Sequence, residues 1–245
     1  MTLQMIILAA GKGTRMKSDL AKVLHTINGR PMVDYVLDTA HKFAPDHIYL
    51  IIGHQADKVR ALTTAYDVIY VEQKEQLGTG HAILVTEPYL KTLEGTALIL
   101  CGDVPLLTEK TLAKLLEHHK KEKAAGTILT IQLTDSKHYG RIIREKNGEV
   151  QKIVEYRDAT EAERNVNEIN TGIYAFETAD LFESIHKITT DNDQKEYYLT
   201  DVIEILKKTE KKVAAIATDH ELEVHGINTI EDLKRAEKEL SKINA

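Results

Sequence analysis

Short apolar runs alternate with stretches of helical period through the first half of the chain. Residues 5–8, 48–52, 68–71 and 97–100 are almost unbroken apolar segments. Between the first two, Val33, Val36, Leu37 and Ala40 recur at i, i+3, i+4 and i+7, and Leu112, Leu115 and Leu116 repeat the stripe after the fourth. Strands buried on both faces read as continuous apolar runs, and helices that cross between such strands carry one apolar stripe. The pattern predicts an α/β fold, a Rossmann-like, mostly parallel sheet with helices on both faces.

After about residue 127 the pattern changes. TILTIQL, RIIRE, VQKIVE and INTGIYAF lie close together with no long helix among the first three, which predicts a small mixed or antiparallel lobe. Leu199, Val202, Ile203 and Leu206 resume helical spacing, and this reading carries Tyr197 and Tyr198 on the same helix. Thr229 followed by Asp232 has the form of a capping box that opens a last helix through Ile230, Leu233, Ala236 and Leu240. The expected organisation is a single domain, 1–245. Within it, 1–126 is mainly a nucleotide-binding core, 127–228 mainly a sugar-binding part, and 229–245 a C-terminal helix.

Composition narrows the function. With 245 residues and a formal charge of −6, the chain can bury a large core and lacks the basic surplus that nucleic acid or an anionic membrane would require. The one cysteine, Cys101, has no partner for an internal disulfide, the start has no signal-peptide pattern, and no apolar run approaches a membrane span. A cytoplasmic, soluble protein is expected, and any phosphate site in it must be locally basic.

Such a site is visible at the first strand's carboxyl end. MIIL runs directly into Ala9-Ala10-Gly11-Lys12-Gly13-Thr14-Arg15-Met16, where glycines let backbone N–H groups approach a phosphate. The spacing fits neither a Walker A loop nor a dinucleotide fingerprint, whose third glycine would fall at Met16. Lys12, Arg15, Lys17 and Lys22 stand against Asp19 alone, a concentration of positive charge suited to a triphosphate. A glycine turn with solvated lysines is the alternative.

LAAGKGTRM followed by LAKVLH resembles the signature of the sugar nucleotidyltransferases, in particular the bacterial uridylyltransferases that make UDP-N-acetylglucosamine. Further similarity is carried, in the family's order, by QLGTGHA, GDVPLL, YGRI, EINTG, EYYLTD and HGINT. The resemblance implies that Arg15 and Lys22 are catalytic residues on the phosphates and that Leu8, Ala9, Ala10, Gly11 and Gly13 contact the nucleotide. Two departures stand out. Ala21 occupies a position where the family usually has proline, which is expected to loosen the loop slightly, and Lys195 one where it often has glycine.

Three further groups of residues follow. Gln73, Gln76, Leu77, Gly78, Thr79 and Gly80 form a turn ahead of a helix expected from His81, where amides and backbone can pair with a base edge. The resemblance implies that Gln73, Gly78 and Thr79 contact uracil, whereas a generic helix-capping turn is the other reading. Asp103 follows ALILCG at a strand's carboxyl end, where open α/β sheets place ligands, and one carboxylate can suffice for Mg²⁺. Asp-x-Pro alone is also a common turn, but the resemblance makes Asp103 a metal ligand with Asn228 as the second. It further implies a sugar pocket of Gly140, Glu155, Asn170, Thr171, Tyr198 and Thr200, although a tyrosine there can equally be core.

The eleven histidines show no zinc spacing, His25 is close enough to Lys22 to help shape the loop, and covalent catalysis has no candidate. The implied reaction joins UTP to N-acetylglucosamine-1-phosphate with Mg²⁺ as cofactor. Another sugar-1-phosphate or dTTP, or a silent nucleotide-sugar-binding subunit, remains the alternative. Bifunctional relatives carry a β-helix of hexapeptide repeats. None follows here up to Ser241-Lys242-Ile243-Asn244-Ala245, so acetyl transfer is not expected and a monomer or weak oligomer is.

Overall fold

The computed structural model describes residues 2–136 and 138–243. The chain runs β1 (Leu3–Leu8), two 3-10 turns (Thr14–Met16 and Lys22–Leu24), β2 (Thr26–Ile27), β3 (Arg30–Pro31), α1 (Met32–His41), β4 (His47–Ile52), α2 (Ala56–Leu62) and β5 (Ile69–Glu72). It continues through α3 (Thr79–Leu84), α4 (Glu87–Leu90), β6 (Thr96–Cys101), α5 (Glu109–Glu122), β7 (Gly126–Gln132), β8 (Arg141–Arg144) and β9 (Val150–Val154). Then come α6 (Glu161–Arg164), β10 (Glu168–Glu177), α7 (Thr178–Ile185), α8 (Asp201–Lys208), β11 (Val213–Thr218), α9 (Glu221–Val224) and α10 (Ile230–Ile243). Residues 244 and 245 of the expected last helix lie outside the described residues.

The main sheet has the order β11-β7-β10-β6-β1-β4-β5. β1 is parallel to β4 and β6, β4 to β5, and β7 to β11, whereas β10 runs antiparallel to both β6 and β7. Alternate residues of β1 feed opposite faces, as a strand's period of two requires. Met5 and Ile7 join a core with Val33, Val36 and Leu37 of α1, Val59 of α2 and Leu112 and Leu115 of α5. Ile6 joins the opposite core with Ile83 of α3, Leu90 of α4, Leu181 and Ile185 of α7, and Val202 and Ile203 of α8. The sheet is thus covered on both faces, which is why its strands read as continuous apolar runs.

The antiparallel region is threaded into this sheet rather than set beside it. β7 and the later part of β10 continue the main sheet, and the β8–β9 hairpin attaches at its end through Ile169 paired with Arg141. The Arg141 side chain is 2% exposed and donates to the carbonyls of Tyr139 and Arg164, fastening the hairpin's entry.

Several elements differ from the sequence pattern. α3 begins at Thr79, two residues before His81, because Gly78 at φ 108° turns the chain directly into it. Tyr197 and Tyr198 precede α8 rather than riding on it. The Tyr197 backbone is committed elsewhere: its N–H donates to Leu77 O at 2.8 Å and its carbonyl accepts from Gly80 N–H at 2.7 Å. The edge strand β11 was not signalled, since VAAIAT is short and rich in alanine, a weak strand former. At the chain's end, Asp232 accepts from Thr229 N–H at 2.9 Å and donates its own N–H to the Thr229 hydroxyl at 3.1 Å, the expected capping box.

Candidate active site

Three loops that leave strand carboxyl ends meet the start of a fourth strand along one edge of the sheet. Leu8 stands beside Ile51 and Cys101, and Ile52 beside Glu72, so the segments after β1, β6 and β5 emerge together. Because β10 is antiparallel, its beginning reaches the same edge, with Asn170 opposite Thr130. A cavity of about 520 Å³ opens there, walled by Leu8 to Gly13, Lys22, Gln73, Gly78, Thr79 and Asp103. A second of about 210 Å³ is lined by Gly140, Glu155, Asn170, Thr171 and Thr200. They share Leu8, Thr79 and Cys101 and form two halves of one cleft.

The first loop is held in shape by its own packing. Gly13 has φ 67°, and a Cβ on it would meet the Lys22 side chain at 2.6 Å, so glycine brings the loop's two arms together. At Gly11 an added Cβ would have nothing within 4 Å, although the residue lines the cavity; packing leaves that space open to a ligand. Gln55 ties the loop from the side, accepting from Ala21 N–H at 3.1 Å and donating to Asp19 O at 2.7 Å. Ala21 lies at φ −52°, ψ 134°, a proline-compatible geometry. A proline there would lack the N–H that Gln55 receives, so hydrogen bonding restrains this loop where ring stiffness is absent.

The charged residues converge. Lys22 Nζ donates to Asp103 Oδ2 and, at 2.6 Å, to Asn228 Oδ1, which also accepts from Arg15 Nη2 at 2.7 Å. Asn228 is brought in from the far end of the chain by backbone bonds. Ile227 N–H donates to Asp103 O at 2.9 Å, and Asn228 N–H to Asp232 Oδ2 at 2.9 Å. Asp232 therefore starts α10 and fixes a site residue with the same carboxylate, and only its capping role was legible in sequence. Arg15 does not line the cavity itself and reaches the cluster through Asn228.

The turn at Gly78 and Thr79 is equally constrained. Gly78 takes φ 108°, and a Cβ there would lie 2.5 Å from Tyr197 O. Thr79 Oγ1 accepts from Leu199 N–H at 3.0 Å, locking the turn to the segment before α8.

In the second half-cleft, the Glu155 carboxylate accepts from Thr200 Oγ1 at 3.3 Å, and burial raises its pKa above the ordinary carboxylate value against that bond. Asn170 donates to Tyr174 OH at 2.7 Å and accepts from Gly172 N–H at 3.1 Å, while the Thr171 hydroxyl donates to Leu129 O at 2.7 Å. These bonds shape the register shift in β10, leaving Asn170 a second amide proton for a ligand. Tyr198 stands behind this half-cleft. Its side chain is buried, its hydroxyl accepts from Gln194 Nε2 at 3.0 Å, and it is absent from the cavity walls that Leu199 and Thr200 help to form.

Tyr139 lies in the wall of this second half-cleft without having been signalled, its hydroxyl 3.1 Å from His225 Nδ1, whose Nε2 is 3.2 Å from Asp232. Burial pushes the Tyr139 phenol up to about 12 and the Cys101 thiol likewise to about 12, which disfavours the charged form of each.

Among the described residues no group of three or more His, Cys, Asp and Glu can hold a metal, and no helix is long and apolar enough to cross a membrane.

The profile of the MobA-like NTP transferase domain matches residues 5–204. The chain is 46% identical over 237 residues to the Bifunctional protein GlmU of Brevibacillus brevis, covering 97% of this chain and 51% of that protein. It is 49% identical over 232 residues to the protein of that name from Streptococcus equi subsp. zooepidemicus, covering 95% and 50%. The chain thus spans about half the length of the curated relatives it matches. UDP-glucose pyrophosphorylase complexed with UDP-glucose superposes with a TM-score of 0.78 at 19% identity, covering 99% of this chain and 100% of the other. Its apo form gives 0.79 at 19% identity, covering 100% of each. At that identity the likeness is one of fold. By the domain match and the close relatives, the chain belongs to the family of MobA-like NTP transferase domains.

Proposed function

We propose that the cleft transfers UMP from UTP to N-acetylglucosamine-1-phosphate, releasing pyrophosphate and forming UDP-N-acetylglucosamine in a magnesium-dependent step. The observation that carries this reading is the meeting of Arg15, Lys22, Asp103 and Asn228 at one end of a cleft whose other end holds hydroxyl, amide and carboxyl groups suited to a sugar. A phosphate oxygen of the sugar phosphate attacks the α-phosphorus, and the bond to the pyrophosphate oxygen breaks in line. The attacking oxygen is already anionic, so no general base is required. Catalysis then rests on alignment and charge, the ordinary demands of phosphoryl transfer.

The residues fit a hard cation. Asp103 and Asn228 turn a carboxylate and an amide oxygen toward one point, now held by the Lys22 ammonium, and Mg²⁺ takes one or two carboxylates with phosphate oxygens and water. Bound there, Mg²⁺ would neutralise developing charge on the phosphates. Lys22 and Arg15 would turn to the phosphate oxygens, Gly11 and Gly13 admit the chain of phosphates against the backbone, and Gln73 faces the base. Glu155 and Thr200 would meet the sugar's hydroxyls.

Pyrophosphate release from UTP and N-acetylglucosamine-1-phosphate, with and without Mg²⁺, tests the reading. Metal-dependent release is expected, with glucose-1-phosphate and dTTP as poorer substrates. Nucleotide binding with no pyrophosphate from any pair would make the protein a binder instead.

A further inference from the structure

We propose that His81 sets the base selectivity of the cleft, as the residue that helps to lock the Gln73 amide with its oxygen toward the base. The site then takes a pyrimidine whose ring nitrogen carries a proton, uracil or thymine, and disfavours cytosine. The proposal rests on the nucleotidyl-transfer reading for its ligand and deepens it.

Gln73 follows β5, is 3% exposed, and lines the nucleotide half of the cleft. One end of its amide lies 3.0 Å from Gly78 O and 3.1 Å from His81 Nδ1. A peptide carbonyl only accepts, so the atom facing Gly78 O is Nε2, donating. Nε2 has two protons and no lone pair to offer, so His81 Nδ1 accepts the second and the imidazole carries its own proton on Nε2. Both amide protons are spent within the protein. The Gln73 Oε1 has no protein partner among the described residues, so the acceptor is what the amide offers to the cavity.

Such an acceptor pairs with the N3–H of uracil or thymine. Cytosine presents an unprotonated N3 at the same place, and the two lone pairs repel. Inverting the amide to suit cytosine would set Oε1 against Gly78 O and strand the lone pair of His81. The α3 helix fixes His81, on its first turn, eight residues from Gln73. His81 touches no substrate in this account and acts through Gln73, which makes it a positioning residue.

The test compares wild-type protein, His81→Phe and His81→Asn for calorimetric binding of UTP and CTP, with pyrophosphate release measured in parallel. Phe keeps a ring without the acceptor, and Asn can return an acceptor near the Nδ1 position. Wild type is expected to prefer UTP. In His81→Phe the UTP:CTP affinity ratio should fall about 3- to 10-fold, the worth of one hydrogen bond, with the loss on KM and not on kcat, and Asn should restore most of it. A ratio within twofold of wild type in His81→Phe, or an Asn variant that behaves like Phe, overturns the proposal. Should His81→Phe fail to melt cooperatively, His81→Ala takes its place under the same criteria. Selective UTP binding by a wild type that releases no pyrophosphate from any pair would sink the transfer reading and leave the His81 inference to its own ratio.

Discussion

Arg15 Nη2 donates to Asn228 Oδ1 at 2.7 Å, joining residues 213 positions apart in the chain. Lys22 donates to that same oxygen at 2.6 Å. One amide oxygen thus gathers two cations from the first loop, beside Asp103 on the loop after β6.

If these cations serve the phosphates, removing one should slow chemistry more than it weakens binding. Arg15→Ala is expected to lower turnover by about 10²–10³, the usual effect of removing one preorganised electrostatic donor. Steady-state pyrophosphate release measures it, and near-normal turnover would take Arg15 out of the mechanism.

Lys22 occupies the oxygens that a metal would need, so ammonium and divalent cation exclude one another at Asp103 and Asn228. In nucleotide-free protein, Lys22→Met should raise Mn²⁺ or Mg²⁺ affinity about 10-fold or more, since a charge-assisted hydrogen bond is worth about 1.5–3 kcal/mol. Calorimetric titration of the metal alone gives the answer, and unchanged or weaker binding contradicts it.

Gly78 has φ 108° and faces Tyr197 O. Gly78→Ala should cost about 1–3 kcal/mol from backbone strain, before the added contact with an immovable carbonyl, and should weaken UTP binding as the turn shifts. Urea unfolding and UTP titration of the variant would register both, and a variant matching wild type in each would refute the strain argument.

Asp201 opens α8 with its carboxyl raised from 3.8 to about 6, chiefly by burial and then by Glu204 and Asp158. Between those two values the folded protein binds more protons at this group than the unfolded chain, so its contribution to stability falls as pH rises. Asp201→Asn removes that fall. Its melting temperature should match wild type below about pH 4 and exceed it increasingly up to about pH 6, the difference then holding steady. Thermal melts across this range check it, and parallel curves would show that the carboxyl is not perturbed.

The sequence by itself determined the parallel part of the sheet formed by β1, β4, β5 and β6 and most of its covering. Continuous apolar runs at β1, β4 and β6 and the α1 and α5 stripes are local consequences of burial on two faces, and they were readable because period and hydrophobicity belong to neighbouring residues. The charge and glycines of the first loop, and Asp103 at a strand end, were readable for the same reason. Only the tertiary structure decided that β10 enters the sheet antiparallel between β6 and β7, that Tyr198 is buried with its hydroxyl against Gln194, and that Gln55 and Asp232 tie down the loops of the candidate site. Those outcomes depend on hydrogen bonds between segments remote in sequence, Gln55 to Ala21, Leu77 to Tyr197 and Asn228 to Arg15. A chain's local pattern states what must be buried, and the partner of each polar group is settled only when distant segments meet.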